Sequence, residues 1–180
     1  DVSIIKVTGK NVEVLSSNGL HKLGGADFDH ALWNLVAKKY KDETGQELTA
    51  EEFSMNDAED AKKSISERKK TTVEIERVFV DLSRIEFEES ISSMLVQIEM
   101  MCETTLDEAG IDVSDVSDIF LAGGSTRMPV IREVATKVFQ REPTSTVNVD
   151  EVVALGASLY AAHKSDGSNL SEIQKKSIDQ

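Results

Sequence analysis

Hydrophobic and polar residues alternate in the first part of the chain. Residues 1–7 and 11–16 are short β-branched runs, and Thr8-Gly9-Lys10 joins them. A two-residue period is typical of strands, and a three-residue connection that contains glycine is typical of a tight turn. The opening segment is therefore predicted to form a β-hairpin.

The pattern then changes to helical spacing. Apolar residues recur every three or four positions between residues 28 and 41, with Asp27 as the expected N-cap and Gly45 as the expected stop. Residues 50–69 are strongly charged and carry only a few apolar or small side chains. They predict a second helix that is exposed on much of its surface.

Hydrophobic and polar residues alternate again in the middle of the chain, and a long segment with helical spacing follows. Residues 71–82 have the period of a strand or hairpin, whereas residues 85–109 carry apolar side chains at helical spacing. The second of these segments is predicted to be the longest helix of the chain. Residues 118–122 are a continuous apolar run that ends at a Gly-Gly pair, which predicts a strand buried on both faces.

Two further helices are predicted near the end of the chain. Pro129 suits the first turn of a helix that continues to about Gln140. A final helix is expected from Asp150, its N-cap, to about His163. Its small residues, which suit close packing, are Ala154, Gly156, Ala157 and Ala161.

Strands interleaved with helices indicate a mixed α/β architecture. The charged segment 26–105 looks like an insertion between the opening hairpin and the apolar run at 118–122. Two subdomains are predicted, one formed by residues 1–25 and 106–163 and the other by residues 26–105. Residues 164–180 are expected to form a loosely held tail.

The composition is that of an ordinary globular protein. Of 180 residues, 39% are hydrophobic and 29% are charged, and the formal net charge is -13. Such a charge argues against broad binding to nucleic acid or to an anionic membrane. No apolar run approaches the roughly 20 residues of a membrane-spanning helix, and no signal segment is evident, so a cytoplasmic location is expected.

Few residues offer conventional catalytic or metal chemistry. Cys102 is the single cysteine and lies in an apolar repeat, which predicts a buried thiol. His21, His30 and His163 share no metal-ligand spacing, so neither a zinc site nor a Ser/His/Asp triad is predicted.

The first residues of the chain have the pattern of a strand that is already in progress. We interpret this as a sign that the chain is part of a longer protein.

The Gly123-Gly124 pair is the sharpest local candidate for a binding site. Glycines between a predicted strand and a helix start let backbone amides approach a nucleotide or phosphate without a Cβ in the way. The pair could equally be a tight connection with no ligand. The surrounding sequence matches neither the dinucleotide fingerprint nor the P-loop.

The second predicted helix and the last one carry further polar candidates. One arc of about 100° on the second helix holds a carboxylate, two ammoniums and a hydroxyl, those of Glu59, Lys62, Lys63 and Ser66. These groups could bind a sugar and a purine edge, or they could form a solvated face with an ion pair between Glu59 and Lys63. Asp150 is explained by helix capping alone.

Read together, five ordered blocks resemble the second lobe of the nucleotide-binding domain of the seventy-kilodalton heat-shock chaperones, the DnaK-like family. The blocks are Asp-Val-Ser at 1–3, Leu-Gly-Gly-Ala-Asp-Phe-Asp at 23–29, the charged helix at 58–66, Phe-Leu-Ala-Gly-Gly-Ser-Thr-Arg-Met-Pro at 120–129, and Asn-Val-Asp-Glu-Val-Val-Ala-Leu-Gly-Ala at 148–157.

The resemblance implies an actin-like (ribonuclease H-like) α/β fold, with a mixed sheet flanked by helices and an inserted α+β subdomain. It implies that this chain supplies the adenosine-binding side of a cleft between two lobes. Glu59 and Lys62 would bind the ribose hydroxyls, and Ser66 would bind the adenine edge. Arg127 would stack on the base, for which a planar cation is suited.

The same resemblance implies roles at the phosphates and the metal. Gly123, Gly124 and Ser125 would line the phosphate side, and Gly24 and Gly25 would lie near the ribose. Lys63 stands where some members carry a stacking arginine, and Asp150 would support the base pocket. Asp1 would orient water bound to magnesium.

The implied ligands are ATP and ADP with Mg²⁺. The implied partners are the first lobe of the same domain, a nucleotide-exchange factor, a J-domain co-chaperone, and unfolded polypeptide bound by a domain outside this chain, with neither nucleic acid nor membrane among them. The fragment is not expected to hydrolyse ATP alone.

Two other functions remain open. One is a degenerate lobe that binds proteins without productive nucleotide binding. Ala26 in place of an acidic residue, Lys63 in place of arginine and a shortened segment at 67–88 favour it. The other is a different actin-like ATPase, such as a sugar kinase or a filament protein.

One further departure from the family pattern is Val149, which stands where the family usually has proline before the Asp-Glu pair. This difference is interpreted as a change in loop stiffness only.

Overall fold

The computed structural model describes residues 1–9, 11–144 and 148–164, with side chains up to residue 162. Two antiparallel hairpins lie in this part of the chain. In the first, Ile5 pairs with Val14 and Val7 with Val12, and in the second Val73 pairs with Val80. The predicted first hairpin is confirmed, and the segment predicted as a strand or hairpin forms a hairpin. Their strands are β1 (Val2–Thr8), β2 (Asn11–Asn18), β3 (Lys70–Ile75) and β4 (Val78–Ser83).

The helices occupy most of the remaining described residues. Two short 3-10 turns, Val113–Asp115 and Gly124–Arg127, connect some of them. The helices are α1 (Gly25–Thr44), α2 (Met55–Glu67), α3 (Arg84–Ser90), α4 (Ser92–Ala109), α5 (Pro129–Phe139) and α6 (Val152–Lys164).

The ends of the first helix follow from local hydrogen bonds. Asp27 is not the N-cap, because α1 begins earlier and Gly24 stands at that position. The Asp27 carboxylate instead accepts a hydrogen bond from the Gly24 backbone N–H, at 2.8 Å, from inside the first turn. Gly45 ends the helix with a φ of 74°, as predicted, because glycine adopts this left-handed conformation readily.

The second helix is shorter than its charged sequence suggested. Residues 50–54 lie outside it, because Ser54 caps the helix and accepts a hydrogen bond from the Asp57 N–H at 3.3 Å. Asp57 in turn accepts from the Ser54 N–H at 2.8 Å. This reciprocal pair satisfies backbone donors that would otherwise lack partners, so it sets the helix start.

The prediction of one long helix over 85–109 is wrong. The segment breaks at Ile91, which is fully buried and has φ and ψ angles of -104° and 7°. Ser90 and Ser92 flank the break, and the Ser90 hydroxyl donates to the Phe87 carbonyl at 2.6 Å. Serine hydroxyls compete for the backbone groups that a continuous helix uses, which accounts for the interruption.

The prediction of a strand at 118–122, buried on both faces, is also wrong. Only Phe120 forms an isolated parallel bridge, with Thr144, and its side chain is 59% exposed. A strand exists only where neighbouring backbone groups satisfy its hydrogen bonds. Among residues 1–9, 11–144 and 148–164, β1 pairs with β2 alone, and β1 and residues 115–126 line one cavity of about 660 Å³ instead of pairing with each other.

The last helix departs from its prediction in two ways. Asp150 is not an N-cap, because α6 begins at Val152 and the Asp150 carboxylate contacts Arg127. The small residues expected to pack closely are exposed. Large apolar side chains occur on opposite sides of the helix, so the sequence does not single out one face for burial. Residues 165–180 of the expected tail lie outside the described residues.

Buried apolar residues form two clusters. The larger joins α1, α2, the second hairpin and α3, with Phe28, Leu32 and Phe87 among its buried members. The smaller joins β1, α4 and α5 and contains Cys102. The predicted buried thiol is confirmed, and burial raises the pKa of Cys102 to about 11. Among the described helices none is long and apolar enough to cross a membrane.

Candidate functional site

Three separate sequence blocks meet at the start of α1. The Lys62 ammonium of α2 donates a hydrogen bond to the Gly25 carbonyl at 3.2 Å. A Cβ built on Gly25 would lie 3.4 Å from Ser125 Oγ and 3.6 Å from Lys62 Nζ. The fold therefore brings together Gly25, Lys62 and Ser125. These residues lie in three different segments of the sequence, and each was a candidate for nucleotide binding.

Lys62 is buried, although it belongs to a strongly charged helix. Its Nζ lies 2.6 Å from Asp29 Oδ1, and both residues are only 9% exposed. Asp29 Oδ1 nevertheless has no hydrogen bond of normal geometry among the described residues, so the contact is a close charge pair with poor alignment. Burial excludes the solvated-face interpretation for Lys62.

Asp29 was missed by the sequence reasoning. It stands one helical turn after Gly25 on α1, within the block 23–29 that supported the resemblance. A carboxylate on the same helix face as a candidate glycine was the available signal, but its partner on α2 could not be identified from spacing.

The other candidate side chains of α2 do not contact α1 through such a buried ion pair. Lys63 Nζ lies 3.0 Å from Glu59 Oε1 and 3.6 Å from Asp60 Oδ1 on the solvent side. The hydrogen bond from Lys63 holds the pKa of Glu59 below its ordinary value, and the same bond raises the pKa of Lys63. The Ser66 hydroxyl donates to the Lys62 carbonyl at 2.8 Å, and its oxygen can still accept.

The end of α2 near Ser66 is held by a residue that the sequence reasoning did not select. Arg84 Nε donates to the Ile65 carbonyl at 2.9 Å, and Nη2 donates to the carbonyls of Ser66 at 2.8 Å and Arg68 at 3.1 Å. These carbonyls lack partners within the helix, so one guanidinium satisfies the exposed end of α2.

The Gly-Gly segment is a turn and does not itself open α5. Gly123 has a φ of 87°, which favours glycine, and residues Gly124–Arg127 form a 3-10 turn before α5 begins at Pro129. The predicted helix start at Pro129 is therefore confirmed, and the 3-10 turn separates it from the glycines. The Gly123 N–H donates to the Val149 carbonyl at 2.8 Å, which joins this turn to the segment before α6.

Arg127 and Asp150 also meet where the Gly124–Arg127 turn contacts the segment before α6. Their side chains form an ion pair and are 60% and 55% exposed. The guanidinium therefore lies at the surface, held by one carboxylate. Both residues were candidates for the base pocket.

The candidate residues fall into two groups in space. Within the described part of the chain, Asp1, Gly24, Gly123, Gly124 and Ser125 line the cavity of about 660 Å³. This cavity is not lined by the candidate residues of α2, nor by Gly25, Arg127 or Asp150. Gly25 adjoins the cavity beside Ser125, and Lys62 is linked to this place by its hydrogen bond to the Gly25 carbonyl.

Asp1 packs against Gly19, where its Oδ1 is the atom nearest to a Cβ built on that glycine. Among the described residues no three His, Cys, Asp or Glu side chains gather in an arrangement that could hold a metal ion. Asp1 can therefore offer one carboxylate to a ligand but does not form a metal site with other side chains of this part.

The architecture and the glycine-lined site define a protein of mixed helices and strands with a cavity built from several chain segments. The sequence model of the family described as Hsp70 protein matches residues 1–177. The chain belongs to the Hsp70 family, which confirms the resemblance at the level of the family. Membership implies an actin-like ATPase fold, and the mixture of helices and small antiparallel sheets is consistent with it.

Curated proteins similar to this chain carry chaperone names. The chaperone protein HscA homolog of Vibrio atlanticus is 37% identical over 164 residues, 89% of this chain and 26% of that protein. The chaperone protein DnaK of Thermus thermophilus is 33% and 32% identical in two strains, over 89% of this chain and 29% of each relative. The chain thus spans between 26% and 29% of the length of these relatives.

Proposed function

We propose that this chain is the second lobe of the ATP-binding domain of a DnaK-like chaperone and supplies the adenosine-binding side of the nucleotide cleft. The convergence of Gly25, Lys62 and Ser125 is the observation that carries the proposal. Residues from three family blocks meet there beside the cavity of about 660 Å³, and a concave site with a few convergent polar groups is typical of a small-molecule binding site.

The ribose and base would bind along α2 and the Arg127 turn. Glu59 and Lys62 would hydrogen-bond the ribose hydroxyls, and the free acceptor capacity of Ser66 suits the amino group of adenine. Arg127 would stack on the base. Its exposed pair with Asp150 contributes at most about 1 kcal/mol, so the guanidinium could turn toward a base at little cost.

The phosphates would lie beside the glycine-lined cavity. Gly24, Gly123 and Gly124 let backbone approach closely, and Ser125 offers a hydroxyl. Asp1 would hold a water bound to Mg²⁺, and the metal supplies neutralisation of phosphate charge when it is bound. A single carboxylate fits that indirect role. Lys63, a compact cation, would stack on adenine less well than arginine.

The two apolar clusters support the proposed division into a core subdomain (1–25 and 106–163) and an inserted one (26–105), because each cluster draws mainly on one of them. In the whole protein, ATP hydrolysis would drive cycles of binding to unfolded polypeptide, with a J-domain co-chaperone and an exchange factor as partners. The first lobe would complete the cleft. We expect the protein to act in the cytoplasm and in the stress response.

Ligand-observed NMR of adenosine against guanosine on the 180-residue chain tests the proposal. We expect saturable binding that favours adenosine and is weakened about three-fold or more by Arg127→Ala, through lost stacking, and by Glu59→Ala, through a lost ribose bond. Arg77→Ala, an exposed arginine in the turn of the second hairpin, is the matched control. Equal binding of guanosine, or unchanged affinity in both variants, would contradict the proposal.

A second candidate is the degenerate lobe that binds proteins without nucleotide. The ion pairs of Lys62 with Asp29 and of Arg127 with Asp150 favour it, since both proposed ligand cations already have protein partners. No saturable signal with millimolar adenosine would support this alternative.

A further inference from the structure

Asp29 is a buried carboxylate outside the set of residues proposed to contact the nucleotide. It lies one turn into α1, and its Oδ1 is 2.6 Å from Lys62 Nζ. The carbonyl of Gly25, on the same face of α1, accepts a hydrogen bond from the same ammonium. Two groups of α1 therefore hold one cation of α2.

The pairing leaves the ammonium able to bind a third group. A lysine ammonium has three N–H donors, and one is used by the Gly25 carbonyl. The contact with Asp29 lacks normal hydrogen-bond alignment, so it fixes the ammonium by charge more than by a directed bond. At least one donor thus remains for a neutral acceptor such as a hydroxyl oxygen.

We propose that Asp29 is a positioning residue for Lys62. It holds the ammonium at the start of α1 before a nucleoside arrives, so the remaining donor is ready for a ribose hydroxyl. Without Asp29 the flexible lysine stem would have to be ordered during binding, which lowers affinity for ligands that use this contact. The inference rests on the proposed function, because it assumes that Lys62 binds ribose.

A purely structural role for the pair makes a different prediction. If the pair only ties α1 to α2, its loss weakens the fold and lowers the affinity of all nucleosides equally. A positioning role affects only the contact with one hydroxyl. Comparison of adenosine with 2′-deoxyadenosine and 3′-deoxyadenosine separates the two.

The test measures dissociation constants of the three nucleosides for the unmodified 180-residue chain, Asp29→Asn and Asp42→Asn. Asp42 is an exposed aspartate on the same helix, so its variant is the control. We expect the unmodified chain and the control to prefer adenosine about ten-fold over one deoxy analogue. Asp29→Asn should reduce this preference to below about three-fold, while binding of that analogue changes less than about two-fold.

Lys62→Met and the double variant complete the comparison. In the Lys62→Met background, Asp29→Asn should change no nucleoside affinity further, because Asp29 acts through the ammonium. If Asp29→Asn does not fold, Asp29→Glu retains the charge while displacing the carboxylate, and it should also reduce the preference. An unchanged preference in a folded Asp29 variant, or an equal loss for all three nucleosides, overturns the inference while the proposed function stands. No adenosine binding by the unmodified chain overturns both.

Discussion

The two ion pairs of the candidate site differ in burial, and this difference separates their proposed roles. Lys62 and Asp29 are each 9% exposed, so removal of one partner would leave an uncompensated charge in a poorly solvated place. Arg127 and Asp150 are exposed, so water and salt screen their attraction. Lys62 is therefore held at one position, whereas Arg127 is the cation able to exchange its partner for a ligand.

Gly25→Ala tests how closely the site is packed. The added Cβ would lie in ordinary contact with Ser125 and Lys62, so we expect the fold to tolerate it while adenosine affinity falls about three-fold or more. Gly156→Ala in α6 is the control, because a Cβ at that position meets no atom within 4 Å and this glycine has no proposed contact with the ligand. Thermal unfolding and nucleoside titration of both variants measure this. Equal affinity of the two variants would place the ligand elsewhere.

Glu86 provides a test of stability against pH. Hydrogen bonds from Lys39 and Ser83 lower its pKa from 4.5 to about 2. A carboxyl whose pKa is depressed by folding stabilises the protein above its unfolded value, and that stabilisation is lost as the pH falls from about 4.5 toward 2. We expect Glu86→Gln to reduce the difference in unfolding free energy between about pH 7 and about pH 3, measured by urea denaturation.

Glu89→Gln, an exposed change on the same helix, is the control for that experiment. It should retain most of the pH dependence of the unmodified chain. If both variants retain it equally, the contacts of Glu86 with Lys39 and Ser83 contribute no stability in solution.

At the scale of elements, α2 is the unit that carries most of the proposed adenosine contacts. Its start is set by the reciprocal bonds of Ser54 and Asp57, and its end is held by Arg84. Ala58 and Ile65 bury the inner face against the main apolar cluster. A charged helix can therefore be rigid enough to present polar side chains because both ends and one face are fixed.

Arg84→Ala should destabilise the fold by about 2 kcal/mol, because three carbonyls at the end of α2 lose a charged donor. Urea unfolding gives the value. Arg77→Ala is the control and should stay within about 0.5 kcal/mol of the unmodified chain, since its side chain lies exposed in a turn. A loss below about 0.5 kcal/mol for Arg84→Ala would mean that water replaces its hydrogen bonds.

At the scale of the whole molecule, the excess of acidic residues is the dominant electrostatic feature. A net charge of -13 destabilises a compact state through self-repulsion, which dissolved salt screens. We expect the midpoint of thermal unfolding to rise when NaCl is increased from about 20 mM to about 300 mM. A fall would show that local ion pairs, such as those of Lys39 and Lys62, outweigh the general repulsion.

Local features of the chain could be predicted well. The two hairpins, the stop at Gly45 and the helix after Pro129 depend on groups within a few residues of each other, so the pattern indicates them directly. The errors at Asp27, Ile91 and Asp150 also have local causes, since serine, asparagine and aspartate side chains compete for the same backbone groups and spacing does not rank them.

The sequence by itself determined the helical and strand periods, the glycine turns and the order of blocks that identifies the family, because each depends on nearby residues or on their order along the chain. Only the tertiary structure decided that Lys62 is buried against Asp29, that Gly25 lies beside Ser125 and that residues 118–122 form a single isolated bridge within the described part of the chain. Lys62 and Gly25 are 37 positions apart. Contacts over such distances depend on which faces the packed helices bury, and a one-dimensional pattern does not contain that choice.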